Sequence, residues 1–423
     1  MRSSQPHSSS SETPLAPLLK TDHPLVKLAS AIDWDYFERE FSSATTEAGG
    51  PALASRLMVG LHYLKAMYDE SDESVVEKWT ENPDWQYLCG EQFFQHKLPC
   101  HPSSLVKWRK RVGTNGVEKL LKQVLRTARQ YQAFSKNELK CVTVDTTVQP
   151  KAVAFPTDAK LDDKARRALV RAAKSHAIKL RQTYVRLGKQ ALFKQSRYAA
   201  VRQGQRAHKQ TKIRTFLGRV IRDIERQLTP IPQALQTLLE RAKQIHRQQK
   251  QDTNKGYSIH APEVECIAQA KAHRRYEFGC KVAVVTTTAS NWIVGIEAHH
   301  GNPYDGTTLK PAVAQVQRLS GVQPQKVLVD QGFRGQDHHP NDVQVLICDK
   351  RKRTGSLKRL LRRRSAIEPV IGHSKSDHAL GHNYLQAQRG NQINALLVGC
   401  GFNLRKLCHF LSSTPPNTAQ STA

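Results

Sequence analysis

Three acidic residues stand where a carboxylate can do more than solvate a surface. Asp145 lies in LKCVTVDTTV (residues 139–148), toward the end of an alternating, β-branched run that predicts a strand. Asp330 follows the apolar run KVLV directly and precedes QGFRG, which places it at the C-terminal end of another predicted strand, where open α/β sheets put their sites. Glu368 sits in RRRSAIEPVIGHSKSDH, a helical pattern interrupted only by Pro369. Arg364 precedes it by four residues and Lys375 follows it by seven, so a period of 3.6 residues puts all three on one helical face. Each acid taken singly reads equally well as a turn residue or a helix surface charge. Together, two strand aspartates and a helix glutamate can converge to hold two Mg²⁺ ions, hard cations that take oxygen ligands. Such a pair clamps the attacking and leaving oxygens of a displacement at a phosphodiester, with Arg364 and Lys375 beside it to bind phosphate. Asp305, in NPYDG, is a rival for the second aspartate but reads first as a turn residue. Asp349, after the VQVLIC run, is a second rival.

The charge of the chain points to the same kind of substrate. It has 423 residues, with 65 Lys and Arg against 36 Asp and Glu, a formal net charge of +29. Residues 160–250 alone hold 24 Lys and Arg and 5 acids, and residues 351–364 hold eight bases and no acid, so the rest is nearly neutral. Cationic surface concentrated in this way neutralises backbone phosphates and makes nucleic acid the first partner to consider. A solvated helical face is the blander explanation of any one charge run. Hydrophobic residues make up 39% of the chain, enough for a sizeable core, and no apolar run is long enough to span a membrane. Eight scattered cysteines without a CxxC fit a reducing cytoplasm better than a disulfide framework.

The elements that must position the acids follow from periodicity. Leu25, Leu28, Ile32, Trp34, Phe37 and Phe41 predict a first helical segment, ended by Gly-Gly-Pro at 49–51. Leu57, Leu61, Leu64 and Tyr68 predict the next helix. Ser74 and Glu77 have the form of a capping box opening a short helix through Trp79. Another helix opens at Pro102 and closes at Gly113, carrying Lys107, Arg109, Lys110 and Arg111 as candidate DNA contacts in a helix-turn-helix-like arrangement. Strands are predicted at 139–148, 278–288, 291–300, 326–330 and 343–349. Between the first two lies the basic block, where Leu169, Ala173, Ala177, Leu180, Tyr184, Leu187 and Ala191 predict one long amphipathic helix. Two more helices are predicted around Ile213–Leu228 and Leu235–Ile245.

The spacing Arg364-x3-Glu368-x6-Lys375, together with VDTTVQPK, FPTDAKL, APEVECIAQAKAHRRYEFGCKV, GNPYDGTTL and VDQGFRG, resembles the DDE transposases of bacterial insertion sequences, specifically the insertion sequence five family. The resemblance runs from near Trp34 to near Lys406, with two departures: Leu361 where the family usually has tyrosine, and Pro150 between Gln149 and Lys151. It implies an α/β, ribonuclease H-like catalytic core, a mixed sheet flanked by helices, with Asp145, Asp330 and Glu368 as the metal-binding triad for two Mg²⁺ ions, Mn²⁺ substituting. It further implies double-stranded DNA partners, element-end inverted repeats and target, cleaved and joined through a 3′-hydroxyl by a homodimer or higher oligomer, in a cytoplasmic, nucleoid-associated setting. A non-catalytic DNA-binding protein and a metal-dependent endonuclease without joining are the alternatives. The expected organisation is a disordered tail (1–24), an N-terminal helical DNA-end-binding domain (25–135), a catalytic domain (136–158 plus 256–411), a basic helical insertion (159–255) and a disordered tail (412–423).

Overall fold

The computed structural model describes residues 13–45, 53–200, 212–227, 232–249, 251–268, 275–348 and 355–413. In chain order the helices are α1 (Pro24–Ala31), α2 (Trp34–Thr45), α3 (Ser55–Tyr68), α4 (Asp72–Trp79), α5 (Pro83–Leu88), α6 (Ser103–Gln130), α7 (Asp158–Ser175), α8 (Val185–Ala200), α9 (Lys212–Gln227), α10 (Gln233–Arg247), α11 (Leu309–Ser320), α12 (Gly355–Arg364), α13 (Ile367–Asp377) and α14 (Ala387–Ser413). The strands are β1 (Cys141–Pro150), β2 (Glu265–Ala268), β3 (Tyr276–Thr287), β4 (Ile293–His299), β5 (Lys326–Val329) and β6 (Gln344–Ile347). The chain divides into two compact units, one of residues 1–149, 281–299 and 303–423, the other of residues 150–280 and 300–302. The helical N-terminal region falls in the same compact unit as most of the sheet, and the second unit is wider than the basic stretch it contains.

In the first unit the strand order is β4-β3-β1-β5-β6, with β3 and β4 antiparallel and β1, β5 and β6 parallel. This is the mixed sheet of a ribonuclease H-like core, as the family resemblance implies. The edge strand β4 would leave backbone groups unpaired, a liability in a buried setting. Side-chain amides from flanking helices cover them. Asn403 accepts from Ile293 N–H at 3.0 Å and donates to its carbonyl at 2.8 Å. Gln315 does the same for Ile296, and Gln392 accepts from Ala298 N–H at 2.6 Å. Two of these amides come from α14, which packs on α3, α6 and β4 and so joins the N-terminal helices to the sheet. Gln149, near the end of β1, donates to Asn391 O and accepts from Asn394, both on α14.

Several helices differ from their sequence reading for local reasons. The first segment is two helices, because Ile32 is extended and Asp33 caps the second by accepting from Tyr36 N–H at 3.1 Å. The capping box of α4 is built by Ser71 with Ser74, three residues earlier than the Ser74–Glu77 pairing read from the sequence. Gly113 takes φ +70 and breaks α6 where expected, but the chain resumes a helix to Gln130. Residues 13–23, assigned by composition to a tail, include Leu15, buried at 1% and bonded through its N–H to Gln92 O. Residues 1–12 and 414–423, the break at 49–51, Leu228 and Asp349 lie outside the described residues.

The second unit holds the basic block, whose helices pack α9 and α10 against α7 around Leu169, Ala173, Leu217, Val220, Ile224, Leu235, Ala242 and Ile245. The single long helix expected over 169–191 is instead α7 and α8 separated by residues 176–184. Ala177 turns left-handed at φ +55, and Ile178 N–H bonds back to Ala173 O at 2.9 Å, a helix-ending turn. Leu180 and Tyr184 of the predicted stripe still pack on this core, joined by Ile178, whereas Ala177 and Leu187 are exposed. The short strand β2, paired with the start of β3, has no counterpart in the sequence reading.

Gly401 of α14 crosses α3 so closely that an added Cβ would lie 2.1 Å from Ala66 O. We expect Gly401→Ala to destabilise the protein by roughly 1–3 kcal/mol through overpacking. The midpoint of denaturant unfolding checks this, and an unchanged midpoint would show that the helices can separate without cost.

Candidate active site

The parallel register of β1 and β5 assembles the two aspartates. Cys141, Val142 and Thr143 pair with Lys326, Val327 and Leu328, so the same register carried two residues onward sets Asp145 level with Asp330. Residues level on neighbouring parallel strands point to the same face, with strands roughly 4.8 Å apart. Asp330 ends β5 and opens a short 3₁₀ turn, its Oδ1 accepting from Gly332 N–H at 2.9 Å. Asp145 Oδ1 accepts from Thr146 N–H at 2.8 Å. The sequence put Asp145 toward the end of its strand; β1 runs on to Pro150, so this acid lies inside the strand with few backbone donors near it.

Glu368 arrives from the helices beyond the sheet. The expected single helix is divided at Ser365–Ala366 into α12 and α13, yet the Arg364–Glu368 contact persists at 3.2 Å. The other arm of Arg364 lies 3.6 Å from Asp145 Oδ2, and that Nη1 is buried without a hydrogen-bond partner among the described residues. One guanidinium thus stands between two of the three acids. Lys375 shares α13 and, seven residues on, the face of Glu368. Leu361, at the family's tyrosine position, is buried at 7%.

Electrostatics agree with the geometry. Burial, reinforced by the adjacent charge of Asp330, pushes the Asp145 carboxyl up to about 6, with Arg364 pulling it down and Glu368 raising it further. Oxygen-only donors on two strands and a helix match the ligand chemistry of a hard divalent cation, and the mutual repulsion at Asp145 is what such a cation would relieve. Among the described residues no three acidic, histidine or cysteine side chains are gathered closely enough to form a metal cage. Arg364 fills part of that space.

Sequence reasoning set Asp305 aside as a turn residue, and the turn is there, with Thr308 Oγ1 donating to Asp305 O at 2.7 Å. Its carboxylate, however, also borders the site. It accepts from Thr146 Oγ1 at 2.9 Å and from Lys281 Nζ at 2.8 Å, and a Cβ on Gly332 would lie 3.0 Å from both Asp305 and Asp330. Lys281 and Thr146 lie in segments that carry the family resemblance, but nothing in their local sequence assigns them to the site; β3 and the adjoining β1 bring them there. Of the candidate DNA contacts on α6, Lys107, Lys110 and Arg111 are exposed. Arg109 is not one of that set. It is 4% exposed and forms a bidentate pair with Asp72, its Nη1 donating at 2.9 Å, because its position on α6 faces α4. Arg363 is likewise committed, donating to the carbonyls of Thr288 and Ala289. His378 is buried against Ala66 O.

A parallel pair of strand aspartates with a helix glutamate on a ribonuclease H-like sheet defines a class of enzymes that act on nucleic-acid phosphodiesters. Residues 14–111 match a family described as Transposase domain (DUF772), and residues 218–404 match the Transposase DDE domain. The second match includes Asp330, Arg364, Glu368 and Lys375 and begins downstream of Asp145. An uncharacterized protein, ORF8 in the nfe locus of Rhizobium meliloti, is 48% identical over 206 residues, which is 48% of this chain and 100% of that protein. No solved structure matches. The chain belongs to the DDE transposases, nucleotidyl-transferring enzymes that act on DNA and as a family use divalent metal ions.

A carboxyl raised from 3.8 to about 6 binds more protons folded than unfolded, so stability falls as pH rises through that window. We therefore expect Asp145→Asn, in chelator-treated protein, to raise the unfolding free energy above pH 6 by at most about 3 kcal/mol, and to leave it unchanged below pH 4. Thermal unfolding across pH tests this, and a gain independent of pH would discount the ionic origin.

Proposed function

We propose that this transposase binds the terminal inverted repeats of its own insertion sequence, cleaves a strand at the element end in a metal-dependent reaction, and transfers the freed 3′-hydroxyl to target DNA. The observation that carries the reading is the register of β1 and β5, which sets Asp145 level with Asp330 and within reach of the Arg364 that also holds Glu368. Asp145, Asp330 and Glu368 would hold the divalent ions, Mg²⁺ with Mn²⁺ as substitute. When bound, these ions supply the charge that stabilises the attacking and leaving oxygens of the phosphodiester.

The chain's own residues do the positioning. Arg364 carries a buried Nη1 beside Asp145 that has no hydrogen bond among the described residues, a donor ready for a phosphate oxygen when the acids acquire another cation. Lys375 presents a second cation on the face of α13 that bears Glu368, two turns along, to bind the phosphate flanking the bond. Lys281 and Thr146 hold Asp305 in place, so that a fourth carboxylate adjoins the site already neutralised. The exposed Lys107, Lys110 and Arg111 on α6 grip the duplex leading to the end, and two copies of the chain bring two element ends together.

Asp145→Asn should reduce Mg²⁺- or Mn²⁺-dependent nicking and joining of element-end DNA to background while leaving binding affinity within about twofold, since one neutralised acid removes no phosphate contact. Cleavage retained in that variant overturns the triad. Free ends without joined products mark an endonuclease, and salt-sensitive binding without any nicking marks a non-catalytic DNA-binding protein.

A further inference from the structure

Among the described residues several aromatic rings are exposed, and two of them stand open on the wall of one pocket in the second unit. Phe155 is 60% exposed and Tyr276 is 45% exposed. They border a pocket of about 520 Å³ whose lining also includes Lys151, Arg275, Phe278 and Glu277, the last buried at 8% exposure and so turned away from a ligand at the rim. Single exposed apolar side chains are ordinary, but two rings sharing a concavity with cations are not explained by incomplete burial.

The pocket is held from below. Tyr276 and Phe278 are two residues apart on β3 and so share a face of the β2–β3 hairpin. Phe278 meets Phe155 edge to face at 5.2 Å and 88°, and meets Tyr257 at 5.4 Å. Phe155 is thereby fixed at one contact while most of its surface stays open. The guanidinium of Arg275 lies 5.6 Å from the centroid of the Tyr276 ring. Lys151 is committed to Glu263 at 2.8 Å, both nearly buried, and so anchors the floor rather than the ligand. The exposed Arg275 is left to face a charge from outside.

The surrounding unit decides the partner. Residues 160–250 carry 24 bases and 5 acids, a surface for a polyanion rather than for an apolar protein segment. A paired duplex offers phosphates and groove edges but hides the faces of its bases, so open rings gain nothing from it. A base released from pairing offers a flat face to stack and a phosphate beside it. A strand-borne ring, Tyr276, and a ring from the segment between β1 and α7, Phe155, with a cation at the rim are suited to that ligand.

We propose that Phe155 and Tyr276 form a stacking site for an unpaired nucleobase of the bound DNA, with Arg275 on its phosphate. This rests on the DNA-binding reading above and adds to it a preference for unpaired nucleotides. The test uses the full-length protein and two probes, a duplex with a short unpaired end containing the fluorescent base 2-aminopurine, and the blunt duplex. The wild type should quench the probe and prefer the unpaired end. Phe155→Leu and Tyr276→Leu, which keep apolar bulk, should each lose the quench and weaken that preference by roughly 5- to 160-fold, the equivalent of about 1–3 kcal/mol per stacked base. Both should bind blunt duplex as the wild type does, and Phe155→Tyr should retain the quench. Wild-type protein that binds both probes equally without a change in fluorescence, or leucine variants that keep the preference, would overturn the stacking site alone. Wild-type protein that binds neither probe would overturn the DNA-binding reading with it.

Discussion

The charge on Asp145 is the constraint around which the catalytic unit is arranged. A carboxylate inside a strand, level with a second aspartate on the next strand, loses hydration and gains a like-charged neighbour, and both effects disfavour its ionised form. Arg364 offsets part of that cost at 3.6 Å, and the same guanidinium reaches Glu368. The break between α12 and α13 leaves this contact intact, and the first turns of α13 then carry Glu368 to the site. Lys281 neutralises the adjoining Asp305, so the three acids hold an excess of negative charge that Arg364 only partly balances.

That arrangement needs a sheet whose strands do not slip, since a one-residue shift of β1 against β5 would send Asp145 to the opposite face from Asp330. Two devices hold β1. Its hydrogen-bonded neighbours lie on both sides, and the Gln149 side chain is engaged by Asn391 and Asn394 of α14. The same helix closes the β4 edge through Asn403 and Gln392. Buried amides of this kind cost stability unless fully satisfied, and here each is bonded to a specific backbone group, so they select one register.

The large positive charge of the chain proves less uniform in its use than its distribution suggests. Arg109 is enclosed with Asp72, Arg166 with Asp163, Lys151 with Glu263, and Arg363 is committed to backbone carbonyls. Removing either partner of such a pair would strand a buried charge. Charge runs in a sequence therefore overstate the cations available to DNA, because a run reports spacing along the chain and not the side on which each residue is enclosed.

The sequence alone marked five of the six described strands and put forward three acids with their Arg and Lys companions as candidates, because strand alternation, turn residues and the i, i+4, i+7 spacing of a helix are local periodicities; the ribonuclease H-like sheet and the joint role of the acids were what the family resemblance implied. It also located the amphipathic stripe of the basic block. What it left open depends on contacts between distant segments. Asp305 is a turn residue by its neighbours and a site residue only because Thr146 and Lys281 come from other strands. Arg109 is basic among bases and buried only because Asp72 faces it. The long helix expected over 169–191 breaks at a left-handed turn at Ala177 that keeps Leu180 and Tyr184 on the core but leaves Ala177 and Leu187 exposed, which periodicity cannot distinguish from a continuous helix. Periodicity records which side chains must be covered; the tertiary structure decides by what, and so which charges remain for the substrate.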